Sequence, residues 1–198
     1  MRNWIVLFFC TTALCIQAQV PRSELRTFNE QRIQLTEKGM QALGYWSIGN
    51  IATGLFLRGQ TDGQARAFHT MNAGWNLVNL GIATAGYLGL RKQRPGRFDL
   101  QETIREQYNM QKILLFNAGL DLGYMAGGLY LRERAMATDN PDRMRGWGNS
   151  IILQGGFLFV YDCVMAYLHS RRNKKLDALM DGVDLTAGVG GVGLRYTF

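Results

Sequence analysis

Apolar and polar positions divide the 198-residue chain into four long apolar segments with polar stretches between them. Each segment has 18 to 20 residues, the length that an α-helix needs to cross a bilayer. The only Asp, Glu, Lys or Arg residues in them are Asp121 and Asp162. Leu, Ala, Met and Gly dominate, whereas the strand-favouring Val and Thr are few, so the pattern predicts helices. The segments are 40–57, 71–90, 113–131 and 151–168.

The apolar segments form a weak internal repeat. Gly54-Leu-Phe-Leu-Arg58 resembles Gly128-Leu-Tyr-Leu-Arg132, and Ala85-Gly-Tyr-Leu88 more loosely resembles Met165-Ala-Tyr-Leu168. The repeat predicts two helical hairpins of similar design, with chance similarity between apolar stretches as the alternative. The predicted fold is therefore all-α, a membrane-type four-helix bundle made of two hairpins. A polar helical lead-in at 23–38 precedes it, and a short strand-like tail follows it.

The first residues have the pattern of a secretory signal peptide. Arg2 precedes an apolar run at 4–16, and the run is followed by Gln17-Ala18-Gln19, which predicts cleavage after Ala18. An uncleaved anchor is one alternative, and a lipoprotein acylated at Cys15 is another, disfavoured because a large residue precedes that cysteine. The predicted divisions of this exported bacterial envelope protein are a signal peptide at 1–18, a four-helix membrane domain at 19–175 and a tail at 176–198.

The last residues change character, because Val192, Leu194, Tyr196 and Phe198 alternate with small or polar residues. A period of two predicts a strand. The ending resembles the C-terminal recognition signal of bacterial outer-membrane barrel proteins, and the resemblance implies a sorting signal at Leu194, Tyr196 and Phe198. A glycine-rich tail with an incidental Phe is the alternative. A complete eight-stranded barrel would fit the length, but 102–112 has a helical pattern, so the barrel is a second alternative.

The distribution of Lys and Arg between the apolar segments helps to distinguish the inner from the outer membrane. Loss of Arg2 with the signal peptide leaves 21 basic and 15 acidic residues, a net charge of +6. If four helices crossed the inner membrane, 15 Lys and Arg residues would face the periplasm and six the cytoplasm, the reverse of the positive-inside rule. The outer membrane is therefore slightly favoured over the inner one. We expect membrane lipids, other envelope proteins or further copies of the chain as partners, and no nucleic acid.

Polar side chains recur at helical spacing in and beside the apolar segments. One hypothesis places Asp121 and Asp162 in a polar pocket or a proton or ion path, with His69 as a third member that would also complete a cation site. The alternative is structural, because amides and small residues let helices approach and hydrogen-bond in membranes. We favour the structural role for the asparagines and keep both roles open for the aspartates. The intramembrane candidates are His69, Asn72, Asn76, Asn79, Asn117, Asp121, Gln154 and Asp162.

Sequence motifs of catalysis are absent. The chain has no paired His/Cys metal spacing, no nucleophile elbow and no phosphate-binding loop before a helix. The glycine run at 188–193 leads into a strand-like segment and not into a helix, so it does not predict a phosphate site. Cys163 is the one cysteine after the signal peptide, which excludes an internal disulfide. We therefore expect a non-enzymatic protein without a cofactor or a metal.

Several segments together carry a family resemblance: Asn72-Ala-Gly-Trp-Asn-Leu-Val-Asn79, Gln154-Gly-Gly-Phe157 with Asp162, and the ending at 193–198. With the signal peptide, they make the chain resemble an uncharacterised family of small bacterial envelope proteins. The resemblance implies a membrane protein and supplies no activity. The leading hypothesis is a structural or accessory subunit of an envelope complex, and the alternative is a small transporter or ion-conducting protein that uses the two aspartates. A membrane-modifying enzyme would need His69 beside them.

Overall fold

The computed structural model describes residues 20–180, together with the backbone of 183–188 and 191–196. The predicted signal peptide at 1–18 lies outside the described residues. Residues 20–180 are helical apart from short turns, which include two single 3-10 turns at Pro95–Arg97 and Arg134–Ala137. The α-helices are α1 Arg22–Arg58, α2 Gly63–Arg91, α3 Leu100–Glu133, α4 Pro141–Ser170 and the short α5 Asn173–Met180.

The four long helices contain the four apolar segments, so the prediction of an all-helical chain with four long helices is confirmed. The polar lead-in at 23–38 is helical and continues into the first apolar segment without a break, which gives α1 a length of 37 residues. The eight-stranded barrel is wrong, because 22–180 forms helices. In particular 102–112 lies within α3, as its helical pattern indicated.

Local sequence signals set the ends of the long helices. The Asp99 side chain accepts a 2.7 Å hydrogen bond from the backbone N–H of Glu102, whose own side chain accepts from the backbone N–H of Asp99. This capping box starts α3. Asn140 caps α4, and Pro141 occupies the first helical position, where no hydrogen bond is lost. Between α1 and α2 the chain turns at Gly63, whose φ of +54° suits glycine.

Glycines allow the closest contacts between the helices. α1 packs mainly on α2, α3 on α4, and α2 on α4. A Cβ atom on Gly128 would lie 2.7 Å from the carbonyl oxygen of Gly148, and a Cβ on Gly148 would lie 2.5 Å from the carbonyl oxygen of Gly128. The backbones of α3 and α4 are therefore in direct contact. Such approach through small residues is typical of helix interfaces in membranes.

Along the middle of the bundle, large apolar side chains are exposed and amide side chains are buried, the reverse of the distribution in a soluble protein. Phe56, Phe116 and Val160 are 66%, 67% and 59% exposed, whereas Asn76 and Gln154 are completely buried between helices. A soluble protein rarely exposes large contiguous apolar surface and rarely buries amides in preference to it. The reversal is therefore the main property of the fold that any function must explain.

One helical stretch among the described residues, Pro141–Met180, is long and apolar enough to cross a membrane. Only 28% of its most apolar part is buried, unlike the core helix of a soluble protein, which is mostly buried. Four membrane-crossing segments were predicted from the sequence, and this criterion supports one of them.

A two-stranded hairpin follows the helices. β1 Val183–Gly188 pairs antiparallel with β2 Gly191–Tyr196, so that Val183 is opposite Tyr196 and Leu185 is opposite Leu194. The strand pattern predicted for the chain end overlaps β2. Phe198 lies outside the described residues, so the sorting signal assigned to Leu194, Tyr196 and Phe198 stays a prediction.

Candidate functional site

The predicted polar face of the second helix points into the bundle. Asn72, Asn76 and Asn79 recur every three or four residues along α2, and each has an exposed fraction of 4% or less. Gln154 of α4, completely buried, lies beside them because α2 packs on α4. The polar stripe that helical spacing predicts on α2 therefore faces the bundle interior, and Gln154 of α4 lies next to it.

An amide network joins α1, α2 and α4, and we define it as Trp46, Asn50, Asn72 and Gln154. Nε2 of Gln154 donates a hydrogen bond to Oδ1 of Asn72. Nδ2 of Asn72 donates in turn to Oδ1 of Asn50 at 2.9 Å. Trp46 Nε1–H donates to Oε1 of Gln154 at 3.1 Å, and the Trp46 ring stacks on Phe157 with 3.8 Å between the ring centroids. A buried network in which each amide finds partners fixes the register of three helices.

Two asparagines beside the amide network are less well satisfied. Asn76 donates to the carbonyl oxygen of Asn72 at 2.8 Å, but its own Oδ1 has no partner among the described residues. Nδ2 of Asn79 and Oγ of Ser150 likewise lack partners there. Unpaired buried polar atoms are costly. These atoms of the α2–α4 interface could therefore hydrogen-bond to a water molecule or a small polar ligand.

Asp121 and Asp162 meet between α3 and α4. They are 3% and 6% exposed, and their carboxyl groups are close neighbours. Oδ2 of Asp121 has no hydrogen-bond partner among the described residues. A pair of ionisable groups buried between two helices is a candidate functional site.

The two remaining candidates do not join this pair. Asn117 is half-buried on α3. His69 lies near the start of α2, and a Cβ on Gly54 of α1 would lie 2.9 Å from the carbonyl oxygen of His69. Among the described residues no group of three His, Cys, Asp or Glu side chains could hold a metal ion. The hypothesis that His69, Asp121 and Asp162 form one cation site is therefore wrong, whereas the enzyme pocket that would need His69 beside the aspartates stays a prediction.

A second polar cluster, absent from the sequence prediction, lies at the end of the bundle that contains both the start of α1 and the end of α4. His169 is completely buried; its Nε2 is 3.4 Å from Oγ1 of Thr36, and its carbonyl oxygen accepts a 2.7 Å hydrogen bond from Gln107. Burial lowers the pKa of His169 to about 4, and the positive charges of Arg172 and Arg32 add to the effect. The imidazole is therefore neutral at pH 7.

Arg32 is 1% exposed, and its one carboxylate contact is Glu106 at 4.0 Å. Burial lowers the pKa of Arg32, while the negative charge of Glu106 raises it. Phe98 covers the guanidinium at 5.1 Å. The sequence signal for this cluster was a polar stripe at spacings of three and four on α1, at Asn29, Arg32 and Thr36, which lay outside the apolar segments that guided the search.

A groove of about 370 Å³ lies at the same end, between the first turns of α1 and α5. Phe28 and Leu179 provide apolar walls, and Glu24, Gln31 and Lys175 provide polar ones. None of the predicted candidates lines this groove. Because its lining mixes apolar side chains with opposite charges, it does not by itself indicate one class of ligand.

The comparison with known families addresses most of the bundle. The sequence profile of a family described as "Family of unknown function (DUF6992)" matches residues 42–163. The chain belongs to this family. The predicted resemblance to an uncharacterised family is thus confirmed, and the matched range contains the amide network and both aspartates. No curated protein and no solved structure matches the chain.

Proposed function

We propose that the chain is an integral membrane protein of the cell envelope, in which α1 to α4 cross the bilayer as two helical hairpins. The crossing segments are the four apolar segments of the sequence. We propose that it acts without catalysis, as a structural or accessory subunit of an envelope complex. The predicted signal peptide at 1–18 indicates export, and the reversed loop charges with the predicted chain-end signal favour the outer membrane over the inner one.

The reversed distribution of side chains carries this proposal. On α2, Asn76 is completely buried while its neighbours Leu77 and Val78 are 61% and 64% exposed. In water this arrangement would expose apolar side chains and would desolvate amides, both at a cost. In a bilayer the outward residues contact lipid, and the inward amides hydrogen-bond between helices. A bilayer is the solvent that makes both placements favourable.

The low hydropathy of three of the four long helices is consistent with the proposal. Hydropathy averages every residue of a segment, including those that face other helices. In α2 the average includes the three buried asparagines, which do not meet lipid in the assembled bundle. The lipid-facing surface is therefore more apolar than the sequence average, as expected of a helix that inserts together with partners.

The direct test is fractionation of the native envelope with alkaline carbonate extraction and N-terminal sequencing. We expect the protein to stay in the membrane pellet, to begin at Gln19 and to accompany outer-membrane markers. Release by carbonate without detergent would overturn the proposed membrane insertion. To test the role as a subunit, the protein is isolated in mild detergent after crosslinking. Reproducible envelope partners at fixed ratios are expected, and a crosslink-free monomer would contradict that role.

A second candidate function rests on the aspartate pair. Two neighbouring carboxyl groups buried inside a bundle are suited to passing protons or cations. Proteoliposomes loaded with a pH-sensitive dye would reveal such a flux, and Asp121→Asn and Asp162→Asn would abolish it while preserving the fold. Asp139→Asn and Asp142→Asn, at exposed positions just before α4 and in its first turn, are the matched controls. Equal flux in all variants and in empty vesicles would leave the structural role alone.

A further inference from the structure

Five basic residues border the apolar segments at one end of the bundle, and we call them the basic belt. Lys38 and Lys112 lie just before the first and third apolar segments, and Arg91, Lys92 and Arg171 lie just after the second and fourth. All five side chains are exposed. Each of the four long helices therefore contributes at least one cation where its apolar segment meets the polar end.

Contacts between the helices place these cations at a common end. A Cβ on Gly86 of α2 would meet Sδ of Met40 of α1, which puts Lys38 and Arg91 close to one level. Thr36 of α1 and Gln107 of α3 both contact His169, two residues before Arg171. Lys112 lies about one turn deeper than the other four, within reach of a long side chain that extends toward the interface.

Within residues 20–180, no belt residue forms an ion pair with a carboxylate. Three ion pairs occur among the described residues, and none includes a belt residue. The Arg91 guanidinium lies 5.8 Å from the ring of Tyr87, an aromatic residue at the same level. Glu37 is the one acidic neighbour in sequence. Glu102 and Glu106 of this end lie farther from the apolar segment along α3, whereas at the opposite end Glu133 lies directly between Arg132 and Arg134.

We propose that the basic belt binds the phosphate groups of anionic phospholipids at the bilayer surface. The inference rests on the proposed membrane insertion, and it names the lipid class that the protein prefers. Exposed Lys and Arg residues next to a membrane span meet headgroup phosphates at that depth, and each contributes about fivefold to the affinity for an anionic surface. The belt combines five such residues with one acidic neighbour, so its electrostatic preference is not cancelled within the protein.

The test uses nanodiscs of phosphatidylcholine with one-fifth phosphatidylglycerol. Native mass spectrometry measures the phosphatidylglycerol that is retained when the protein is released from the disc. The belt variant carries Lys38→Gln, Arg91→Gln, Lys92→Gln, Lys112→Gln and Arg171→Gln. The control variant removes the same charge at the other end with Arg58→Gln, Arg66→Gln, Arg134→Gln, Arg143→Gln and Arg145→Gln.

We expect the wild type and the control variant to retain phosphatidylglycerol preferentially, and the belt variant to retain at least tenfold less. Salt should weaken the wild-type preference. Lys38→Arg, Lys92→Arg and Lys112→Arg together keep the charge and should keep the preference, which separates charge from misfolding. Equal retention by the belt and control variants overturns the lipid preference while leaving membrane insertion intact. A protein that stays soluble without lipid or detergent overturns both.

Discussion

The middle of the bundle and its polar end both bury polar side chains, but the outer surfaces of the two regions differ. In the middle, Gln154 is buried and Leu122 is 52% exposed, whereas at the polar end Leu176 is completely buried and the surface is charged. The same α1 takes part in both regions. In the proposed orientation the surroundings change from lipid to water along α1, because the side chains that face outward change from apolar to charged while the helix continues.

The largest expected effect comes from the α3–α4 contact. Gly128→Leu would force a side chain against the carbonyl oxygen of Gly148 and against Ile152, so we expect the bundle to lose more than about 3 kcal/mol of stability or to fail to assemble. Gly127→Leu, whose Cβ would point into open space, is the matched control. Thermal unfolding in detergent measures both. Similar melting temperatures for the two variants would contradict the close backbone contact.

Truncation of leucines tests the comparison between the two regions directly. Leu176→Ala removes a completely buried side chain at the polar end and should destabilise the protein by about 3 kcal/mol. Leu122→Ala removes an outward side chain of α3 and should change stability by less than about 0.5 kcal/mol in a bilayer-like medium. Steric-trap or denaturant unfolding in bicelles measures the two values. An equal cost would remove the distinction between lipid-facing and water-facing surfaces.

Acid should weaken the polar end selectively. His169 has a folded-state pKa of about 4 and an unfolded value near 6.5. The unfolded chain therefore binds this proton first, and stability that is complete above pH 6.5 is lost as the pH falls toward 4, by up to about 3 kcal/mol. His169→Gln should flatten that dependence. Hydrogen exchange of the α4–α5 junction between pH 7 and pH 4.5 reports it, and an unchanged slope in the variant would refute the assignment.

The smallest of the four effects concerns the amide network. Gln154→Leu leaves the Trp46 indole N–H and Asn72 without their partner, and we expect a loss of about 2 kcal/mol, reduced by alternative partners in the membrane. Indole fluorescence of Trp46 should shift because its hydrogen bond is lost. A double-mutant cycle with Asn72→Leu measures the coupling. Additive losses would show that the side chains do not act as a network.

The sequence alone predicted the four long helices and part of the candidate functional site. Helical periodicity and the absence of charge located the four helices. Asn72, Asn76 and Asn79, spaced by four and then three residues, were expected on one polar face of α2, and all three are buried. The approach of Asp121 to Asp162 depends on how α3 packs on α4, which a single sequence does not specify. The same holds for His169 with Thr36, because those residues lie 133 positions apart.

Hydropathy does not mark the boundary of α1. The residues change from polar to apolar near Met40, but α1 continues because no proline stands there and Gly39 lies inside the helix, packed against Met165. His69 was grouped with the aspartates because all three are ionisable. They lie on three different helices and do not form one cation-binding group, which ionisable character alone does not reveal.

The unbroken length of α1 has a mechanical consequence. Its 37 residues span about 55 Å, against an apolar bilayer thickness of about 30 Å. In the proposed orientation, roughly half of the helix is a rigid stalk outside the membrane, clamped by Arg172, which donates a hydrogen bond to the carbonyl oxygen of Phe28. A tilt imposed on that stalk would be transmitted as a lever motion to the Trp46–Gln154 contact inside the bilayer, because no flexible joint lies between them.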